Sequence, residues 1–353
     1  MELGSEYNLN LNSLNVVEDN IFNYFSEFEC SYYFDSGRSA LKHLVNQINQ
    51  YSKILLPEFI CESVTNCFDK SRITYYRLNQ DFSADVEDIE KKGINQYTII
   101  YLMHYFGSLQ KSEILEEIRD LADKAGAIVI EDTTHSIFTK KQTIGDYMVC
   151  SIRKWMPIPG GGVLYYNHDK SKIKRPEYQR STDNTRSYGM ILKDIYLRTG
   201  FDCNLEYRRI FSDCEERLDN QKNIYEISDF SRYIASCVSI KHLRTIRKKN
   251  YDLLAHHLKM SGISPAIELN ENDIPLVYIL RVHNRDMLRS YLMDRKIFCA
   301  VHWPFDNHQS EQRPFAKRNS EELLSLPIDQ RYDNAHIMYL VNETKQYGGD
   351  LIF

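Results

Sequence analysis

The stretch EDTTHSIFTKKQTIGDYMVCSIRKWMPIPGGG, residues 131–162, contains an aspartate and a lysine that each lie a few residues beyond an apolar run. Asp132 follows the apolar run AIVI after one intervening residue, Glu131, and Lys154 comes shortly after the apolar run YMVC. In an open parallel sheet, ligands bind in the crevice beyond the carboxyl ends of the strands. The stretch therefore predicts a parallel sheet with a ligand site that includes Asp132 and Lys154.

Outward from this stretch, short apolar segments alternate with segments of helical periodicity, starting at Phe34. The predicted strands cover residues 53–56, 73–78, 97–103, 127–130, 147–150 and 163–166. Helices are predicted between them at residues 38–50, 60–68, 84–91 and 112–124. This alternation is typical of an α/β fold in which helices cover both faces of a mainly parallel sheet.

The second half of the chain has a different pattern, which predicts a boundary near residue 225. Residues 168–184 are polar and basic, as in an exposed loop, and residues 190–218 have a helical but charged pattern. A long helical period over residues 228–259 predicts a connector helix, followed by the order of a small α+β unit. We therefore predict a large domain at 1–225, with an N-terminal extension and a polar, helical insertion near 168–225. The connector helix and a small C-terminal domain take up residues 226–353.

Composition limits the function classes. The chain has 44 lysines and arginines against 49 aspartates and glutamates, a net charge of −5, so no global field favours nucleic acid or acidic lipid. Small molecules or a second copy of the chain are the expected partners. The eight cysteines lack C-x-x-C spacing, the start of the chain does not resemble a signal peptide, and no apolar run is long enough to span a membrane. We expect reduced thiols, no metal site and a cytoplasmic location.

Asp132 and Lys154 together have the chemistry that pyridoxal phosphate requires. A carboxylate facing the ring nitrogen of this cofactor keeps the nitrogen protonated, which makes the ring an electron sink. A lysine forms an imine with the cofactor only when its amine is unprotonated, which a partly desolvated, electropositive pocket favours. Taken alone, Asp132 could cap a turn and Lys154 could lie on the surface, so the hypothesis depends on their occurring together.

The start of the first strong helix predicts a phosphate site. Ser36, Gly37 and Arg38 lead directly into it, and a helix start with glycine leaves backbone N–H groups free at the positive end of the helix dipole. The hydroxyls of Ser36, Ser39 and Ser151 could add hydrogen-bond donors. A Ser-Gly helix cap without a ligand is the alternative interpretation of the same residues.

Taken together, these stretches resemble the DegT/DnrJ/EryC1/StrS family of fold type I, pyridoxal phosphate-dependent aminotransferases. The resembling motifs are SGRSAL at 36–41, ILLPEFICESVTN at 54–66, MHYFG at 103–107, IEDTTHS at 130–136 and SIRKWMPIPGGGVL at 151–164. The segment LSLPIDQRY at 324–332 resembles the closing segment of the family. The resemblance implies a homodimer that transfers an amino group, with glutamate as donor, to a nucleotide-linked keto sugar.

The resemblance also implies roles for individual residues. Lys154 would form the imine and act as acid and base, Asp132 would face the pyridine nitrogen, and His135 would lie near the phenolic oxygen. Gly37, Arg38 and Ser151 would hold the phosphate. Where the family has an aromatic residue stacked on the cofactor, this chain has Cys61.

Phe59 and Tyr105 are therefore the candidates for the stacking role. The family's G-x-N-x-R stretch, which reaches the phosphate from the second subunit, is not recognisable near residues 227–231. Tyr105, His302 and Trp303 are candidates to line the acceptor site, although HWPF at 302–305 is interpreted as a packed turn for Trp303.

Two other functions remain compatible with the sequence. A sugar dehydratase of the same fold uses the cofactor without transamination, but such relatives carry histidine at the lysine position. A non-catalytic binding or regulatory protein is the second alternative, because the stacking and subunit-contact positions depart from the family pattern.

Overall fold

A computed structural model describes residues 2–48, 50–139, 143–168, 173–304 and 313–347. Within these ranges the strands are β1 (Leu3–Gly4), β2 (Cys30–Phe34), β3 (Lys53–Pro57), β4 (Ile73–Tyr76), β5 (Thr98–Met103), β6 (Ile128–Asp132), β7 (Tyr147–Ser151), β8 (Gly162–Tyr166), β9 (Tyr278–Arg281), β10 (Ile297–Phe298) and β11 (Leu323–Leu326). The helices are α1 (Ile21–Phe25), α2 (Gly37–Gln47), α3 (Glu62–Thr65), α4 (Val86–Lys91), α5 (Ser112–Ala125), α6 (Thr185–Thr199), α7 (Asn204–Asn220), α8 (Asp229–Ser236), α9 (Ile240–Lys259), α10 (Arg285–Asp294), α11 (Pro314–Glu322) and α12 (Asn334–Gln346).

A seven-stranded sheet in the order β2-β8-β7-β6-β5-β3-β4 forms the centre of the fold. The strands from β7 to β4 are parallel, whereas β8 runs antiparallel to both of its neighbours. Every residue of β5 and β8 is buried, as expected for strands that are covered on both faces. The mainly parallel sheet with flanking helices confirms the predicted fold class.

The charged segment at 190–218 is helical as predicted and contains parts of two helices. It forms the hairpin of α6 and α7, and Gly200 ends α6 in the left-handed conformation with a φ of 72°. Tyr207, Ile210 and Phe211 are buried along one face of α7. The charged residues of α7 lie off this face, whereas Lys193 and Asp194 of α6 are buried, so the segment packs against the rest of the protein despite its composition.

Two other predicted helices have different limits. The helix predicted at 60–68 is shortened to the four residues of α3, and the connector predicted at 228–259 consists of α8 and α9. Ser239 begins the second of these, because its hydroxyl accepts a hydrogen bond from the backbone N–H of His242 at 3.1 Å.

The C-terminal part of the chain has a core of its own, into which the N-terminus is inserted. Helices α9, α10 and α12 cover the antiparallel pair β9–β11, and Leu3 is fully buried within the same cluster. Strand β1 pairs in parallel with β10, which places the first residues beside the C-terminal part. The boundary at 225 and 226 stays a prediction. None of the helices in the described ranges has both the length and the apolar composition needed to cross a bilayer.

A buried, hydrogen-bonded carboxylate supports β6 from the face opposite Asp132. Glu131 is 2% exposed, and it accepts from His104 Nε2 at 2.8 Å and from the N–H groups of Ile144 and Gly145 at 2.9 Å. Burial raises the pKa of Glu131, but the bonds from His104 and the backbone outweigh it and lower the pKa below 4.5. The carboxylate therefore stabilises the fold at neutral pH, and this contribution is lost as the pH falls through the lowered pKa.

Replacing Glu131 by glutamine is expected to lower the free energy of unfolding by about 3 kcal/mol, because an amide N–H₂ then faces a buried donor. Urea unfolding at pH 7 would measure the loss. Glu87→Gln is the matched control, since Glu87 lies on the surface and pairs with Lys91, and it should change the free energy by less than about 0.5 kcal/mol. Equal losses in the two variants would contradict the prediction.

Candidate functional site

A cavity of about 260 Å³ lies at the carboxyl ends of β5, β6 and β7. Seven of the predicted site residues line it: Ser36, Gly37, Arg38, Asp132, His135, Ser151 and Lys154. The parallel register explains this, because Asp132 ends β6 opposite Met103 of β5 and Val149 of β7. Lys154 follows on a single helical turn after β7, at Ile152–Lys154.

The carboxylate of Asp132 is held in a fixed orientation. Tyr101 donates its hydroxyl to Oδ2 at 2.7 Å, and the backbone N–H of Thr134 donates to Oδ1 at 2.8 Å. Burial and the nearby Asp132 carboxylate raise the pKa of Tyr101 well above 10, so the phenol stays protonated and remains a donor. Asp132 is 5% exposed and lines the cavity, where it can accept a further hydrogen bond from a ligand.

The amine of Lys154 contacts an uncharged histidine. Lys154 Nζ lies 3.1 Å from His135 Nε2, and the backbone N–H of Phe106 donates to His135 Nδ1 at 3.4 Å. Burial, Lys154 and His302 together lower the pKa of His135 well below 6.5, so the ring is neutral. Because Nδ1 accepts a hydrogen bond, the ring proton lies on Nε2, and Nε2–H donates to an unprotonated Lys154 amine.

The surroundings of Lys154 favour that unprotonated form. Lys154 is an exposed residue that lines both cavities, yet the protein atoms packed around its amine desolvate it and lower its pKa below 10.5. The adjacent Arg153 also lowers it, whereas Cys61 and Asp132 raise it. Desolvation has the largest effect, which is the usual way in which a lysine becomes a nucleophile near neutral pH.

Arg153 is fixed by acidic residues on the side away from the sheet. It donates to Glu215 at 2.8 Å, and Glu215 also accepts from Arg186 at 2.6 Å. Burial would raise the pKa of Glu215, but these two arginines lower it to about 2. Glu215 is therefore ionised at neutral pH and keeps the guanidinium of Arg153 beside the lysine.

The start of α2 has the features of an anion site. Ser36 caps the helix by accepting from the N–H of Ser39 at 3.1 Å, and Gly37 lies so close to β7 that an added Cβ would be 3.0 Å from Ser151 Cβ. Arg38 pairs with Asp219 through Nη2 at 2.9 Å. Its Nη1 is buried and has no hydrogen-bond partner among the residues that the structure describes, so an oxygen of a ligand could accept from it.

Phe59 and Tyr105 are not among the residues that line this cavity. Both rings lie in the core, where Tyr105 donates its hydroxyl to Phe59 O at 2.7 Å. The ring of Trp303 packs against Phe59 with 5.0 Å between the centroids, and Trp303 lines the cavity in its place. Cys61 lines the cavity as the alignment of motifs predicted.

A second cavity of about 590 Å³ meets the first at Arg153 and Lys154, which line both. Its walls come from the N-terminal segment, α7, α9, α10 and the residues around β11, and they include His302. Further arginines line it: Arg208, Arg247, Arg289 and Arg331. Arg208, Arg247 and Arg289 could not be singled out in the sequence, because they are far apart along the chain and belong to no recognised motif, whereas Arg331 lies in the segment LSLPIDQRY.

The second cavity is cationic because five arginines line it, against two acidic residues, Glu6 and Asp329. Arg247 is buried and donates to Tyr7 Oη at 2.8 Å and to Leu276 O at 2.7 Å. Arg208 lies over the ring of Phe298, 4.4 Å from its centroid. Arg331, in contrast, pairs with Asp329 at 2.7 Å. Such a surface favours a substrate with a negative charge.

No family model matches the chain. A dTDP-3-amino-3,6-dideoxy-alpha-D-galactopyranose transaminase of Aneurinibacillus thermoaerophilus is 22% identical over 289 residues, which are 76% of this chain and 70% of that protein. Solved structures match over more of the chain. Spr1654 of Streptococcus pneumoniae in its PMP form has a TM-score of 0.67 at 13% identity, with 98% of both chains covered.

Two other structures are similar. A DegT DnrJ EryC1 StrS aminotransferase of Brucella abortus has a TM-score of 0.64 at 14% identity and covers 95% of this chain and 92% of its own. NtdA of Bacillus subtilis with the cofactor PMP has a TM-score of 0.62 at 15% identity, over 93% of this chain and 75% of its own. The chain therefore has the fold of the DegT/DnrJ/EryC1/StrS aminotransferases.

Proposed function

We propose that the chain is an aminotransferase that uses pyridoxal phosphate to move an amino group from an amino acid to a keto compound. The observation that carries the proposal is the place of the Lys154 amine, which lies where two cavities meet and accepts a hydrogen bond from neutral His135. One cavity has a carboxylate and a helix start, and the other is cationic. Similar proteins named as aminotransferases, including one in a PMP form, support the proposal.

The residues of the smaller cavity fit pyridoxal phosphate. Asp132 would face the ring nitrogen, and His135 would lie near the phenolic oxygen. The free Nη1 of Arg38 and the start of α2 at Gly37 match a phosphate group, as does the hydroxyl of Ser151, which also lines the cavity. Gly162 allows β8 to approach this loop closely, because a Cβ there would overlap the carbonyl oxygen of Ser36.

Bound pyridoxal phosphate supplies an electron sink that stabilises negative charge on the carbon beside the substrate nitrogen. Lys154 Nζ would act as a general base that removes the proton from the carbon of the amino donor. It would then act as a general acid that delivers this proton to a different carbon. Asp132 would hold a proton on the ring nitrogen, and His135 would keep the Lys154 amine unprotonated through Nε2–H. Arg153 and Glu215 would keep the electrostatic surroundings of the amine constant.

Glutamate is the proposed donor and a nucleotide-linked keto sugar the proposed acceptor. The cationic cavity of about 590 Å³ could hold the carboxylates of the first and the phosphates of the second in turn. The relative named as a transaminase of a dTDP-linked amino sugar supports this choice. We propose further that the chain acts as a cytoplasmic homodimer in amino-sugar or surface-glycan biosynthesis.

The test is spectroscopic. The purified protein, supplied with pyridoxal phosphate, should develop a visible absorption band, and borohydride should attach the cofactor covalently to Lys154. Glutamate should then bleach the band as the amino group is transferred, and a panel of nucleotide keto sugars should restore it. A protein that stays colourless with added cofactor, or that no amino acid bleaches, would overturn the proposal and favour a non-catalytic role.

Arg38→Ala is expected to weaken cofactor binding about 10-fold to 100-fold, because a hydrogen bond to a charged group contributes about 1.5–3 kcal/mol. Titration of the visible band with cofactor would give the dissociation constant. Arg72→Ala serves as the control, since Arg72 is a partly exposed arginine that pairs with Asp69 away from the cavity. An unchanged dissociation constant for Arg38→Ala would remove Arg38 from the phosphate site.

A further inference from the structure

Trp303 lies at the junction of the two cavities. It lines the smaller cavity, its neighbour His302 lines the larger one, and Lys154 lines both. The indole is 9% exposed, and it reaches the sheet from the C-terminal part of the chain. The Lys154 amine lies 5.9 Å from the centroid of the indole ring.

The indole also holds His135. The two rings are stacked, with 5.6 Å between their centroids and 21° between their planes. Phe106 packs against the same imidazole at 5.3 Å, and its N–H donates to Nδ1. His302 contacts it edge-on at 5.5 Å and is itself held by Ser325 at 2.8 Å. A fully buried imidazole with these neighbours has little room to turn, which keeps Nε2 directed at Lys154.

We propose that Trp303 is a positioning residue, whose indole ring holds His135 in contact with the Lys154 amine and closes the smaller cavity on the side of the lysine. The inference rests on the proposed function, and it assigns Trp303 a role other than that of a packed turn. It acts through His135 and through the exclusion of water.

The charged and titratable groups around Lys154 determine whether removing the indole raises or lowers the pKa of Lys154. They are Cys61, Asp132, His135, Arg153, Glu215 and His302. The indole face itself would favour a protonated amine, but 5.9 Å is close to the limit of about 6 Å for such an attraction. Enclosure, which favours the neutral amine, has the larger effect on the pKa of Lys154. Removing the indole should therefore raise the pKa of Lys154.

The experiment measures how readily Lys154 reacts in the full chain after hydroxylamine has removed bound cofactor. Short pulses of pyridoxal 5′-phosphate from pH 6 to pH 10 are stopped with borohydride, and mass spectrometry quantifies the label on the Lys154 peptide. Trp303→Leu is expected to move the midpoint of the labelling profile up by about one pH unit, which is about tenfold slower labelling below the midpoint. Trp303→Phe, which keeps a flat ring, should restore most of the rate.

Phe315→Leu is the matched control, because Phe315 is a half-buried aromatic residue of α11 that packs against Phe82 and does not line the smaller cavity. Its labelling profile should match that of the unmodified chain. Trp303→Met fills much of the same volume without a flat ring and is measured in parallel, in case the leucine variant does not fold. It should shift the profile in the same direction.

The outcomes separate the inference from the function on which it rests. If Lys154 of the unmodified chain is labelled no faster than other lysines, the proposed function fails. If Lys154 is labelled selectively but the leucine and methionine variants keep the same midpoint, the function stands and the positioning role of Trp303 is overturned. A shift as large in Phe315→Leu would likewise overturn it, since the effect would then come from general loosening of the packing.

Discussion

Replacing Lys154 by alanine is expected to abolish the covalent cofactor adduct and to slow the transfer of the amino group by a factor of about 10⁴ or more. General acid–base catalysis by one positioned group contributes about 10²–10⁴, and this variant also loses the covalent link to the cofactor that we propose for Lys154. The first half of the reaction is measured as bleaching of the cofactor band by glutamate. Borohydride reduction followed by mass spectrometry measures the adduct.

Lys111→Ala is the control for this variant, because Lys111 is an exposed lysine that pairs with Asp81 outside both cavities. It should retain the rate and the adduct of the unmodified chain. Added methylamine should restore part of the rate in Lys154→Ala, since a free amine can move the proton. A variant that keeps more than a tenth of the rate, or an adduct on another lysine, would show that Lys154 does not have the proposed role.

The part of the site that could be predicted is the part that parallel strands create locally. Asp132 directly ends β6 and Lys154 lies one short turn beyond β7, so their meeting follows from neighbouring strands in register. The start of α2 follows in the same way from β2, whose end lies beside β8. Because few residues separate each side chain from its strand, the position of the strand largely determines the position of the side chain.

The aromatic contacts could not be predicted, because they depend on how distant parts of the chain pack. Phe59 is close in sequence to Cys61, yet its ring packs in the core, and Trp303 contacts both this ring and the amine of Lys154. Trp303 reaches the site from the C-terminal part, and its position depends on the packing of that whole part against the sheet. A sequence motif contains no information on that packing.

The cationic cavity could not be predicted either, because it also depends on how distant parts of the chain pack. Gly4 to Tyr7 form one wall because β1 pairs with β10 and because Lys193 of α6 donates to the carbonyl oxygen of Glu6 at 2.6 Å. The N-terminal extension was predicted only as an extension. The extension forms a wall of the cavity because residues almost three hundred positions apart pair, and this pairing could not be predicted from the sequence.

Replacing Asp132 by asparagine is expected to lower the rate of glutamate-driven bleaching about 10²-fold to 10³-fold, the usual cost of losing one preorganised electrostatic contact. The amide cannot hold a proton on the ring nitrogen, so the ring becomes a weaker electron sink. The variant should still form the borohydride-reducible adduct, because Lys154 is intact. The split between a retained adduct and a slow reaction distinguishes Asp132 from Lys154 and from a residue that only supports the fold.

Tyr101→Phe is the informative companion, because it removes the hydroxyl that donates to Asp132 Oδ2 but leaves the carboxylate and its bond from Thr134. A lost donor makes the carboxylate more basic, which strengthens its hold on the ring proton and offsets part of its lost orientation. We therefore expect a change of less than about tenfold in the bleaching rate. If Tyr101→Phe is as slow as Asp132→Asn, the rate depends on the packing of β5 against β6 rather than on the charge of Asp132, and the carboxylate is not the partner of the ring nitrogen.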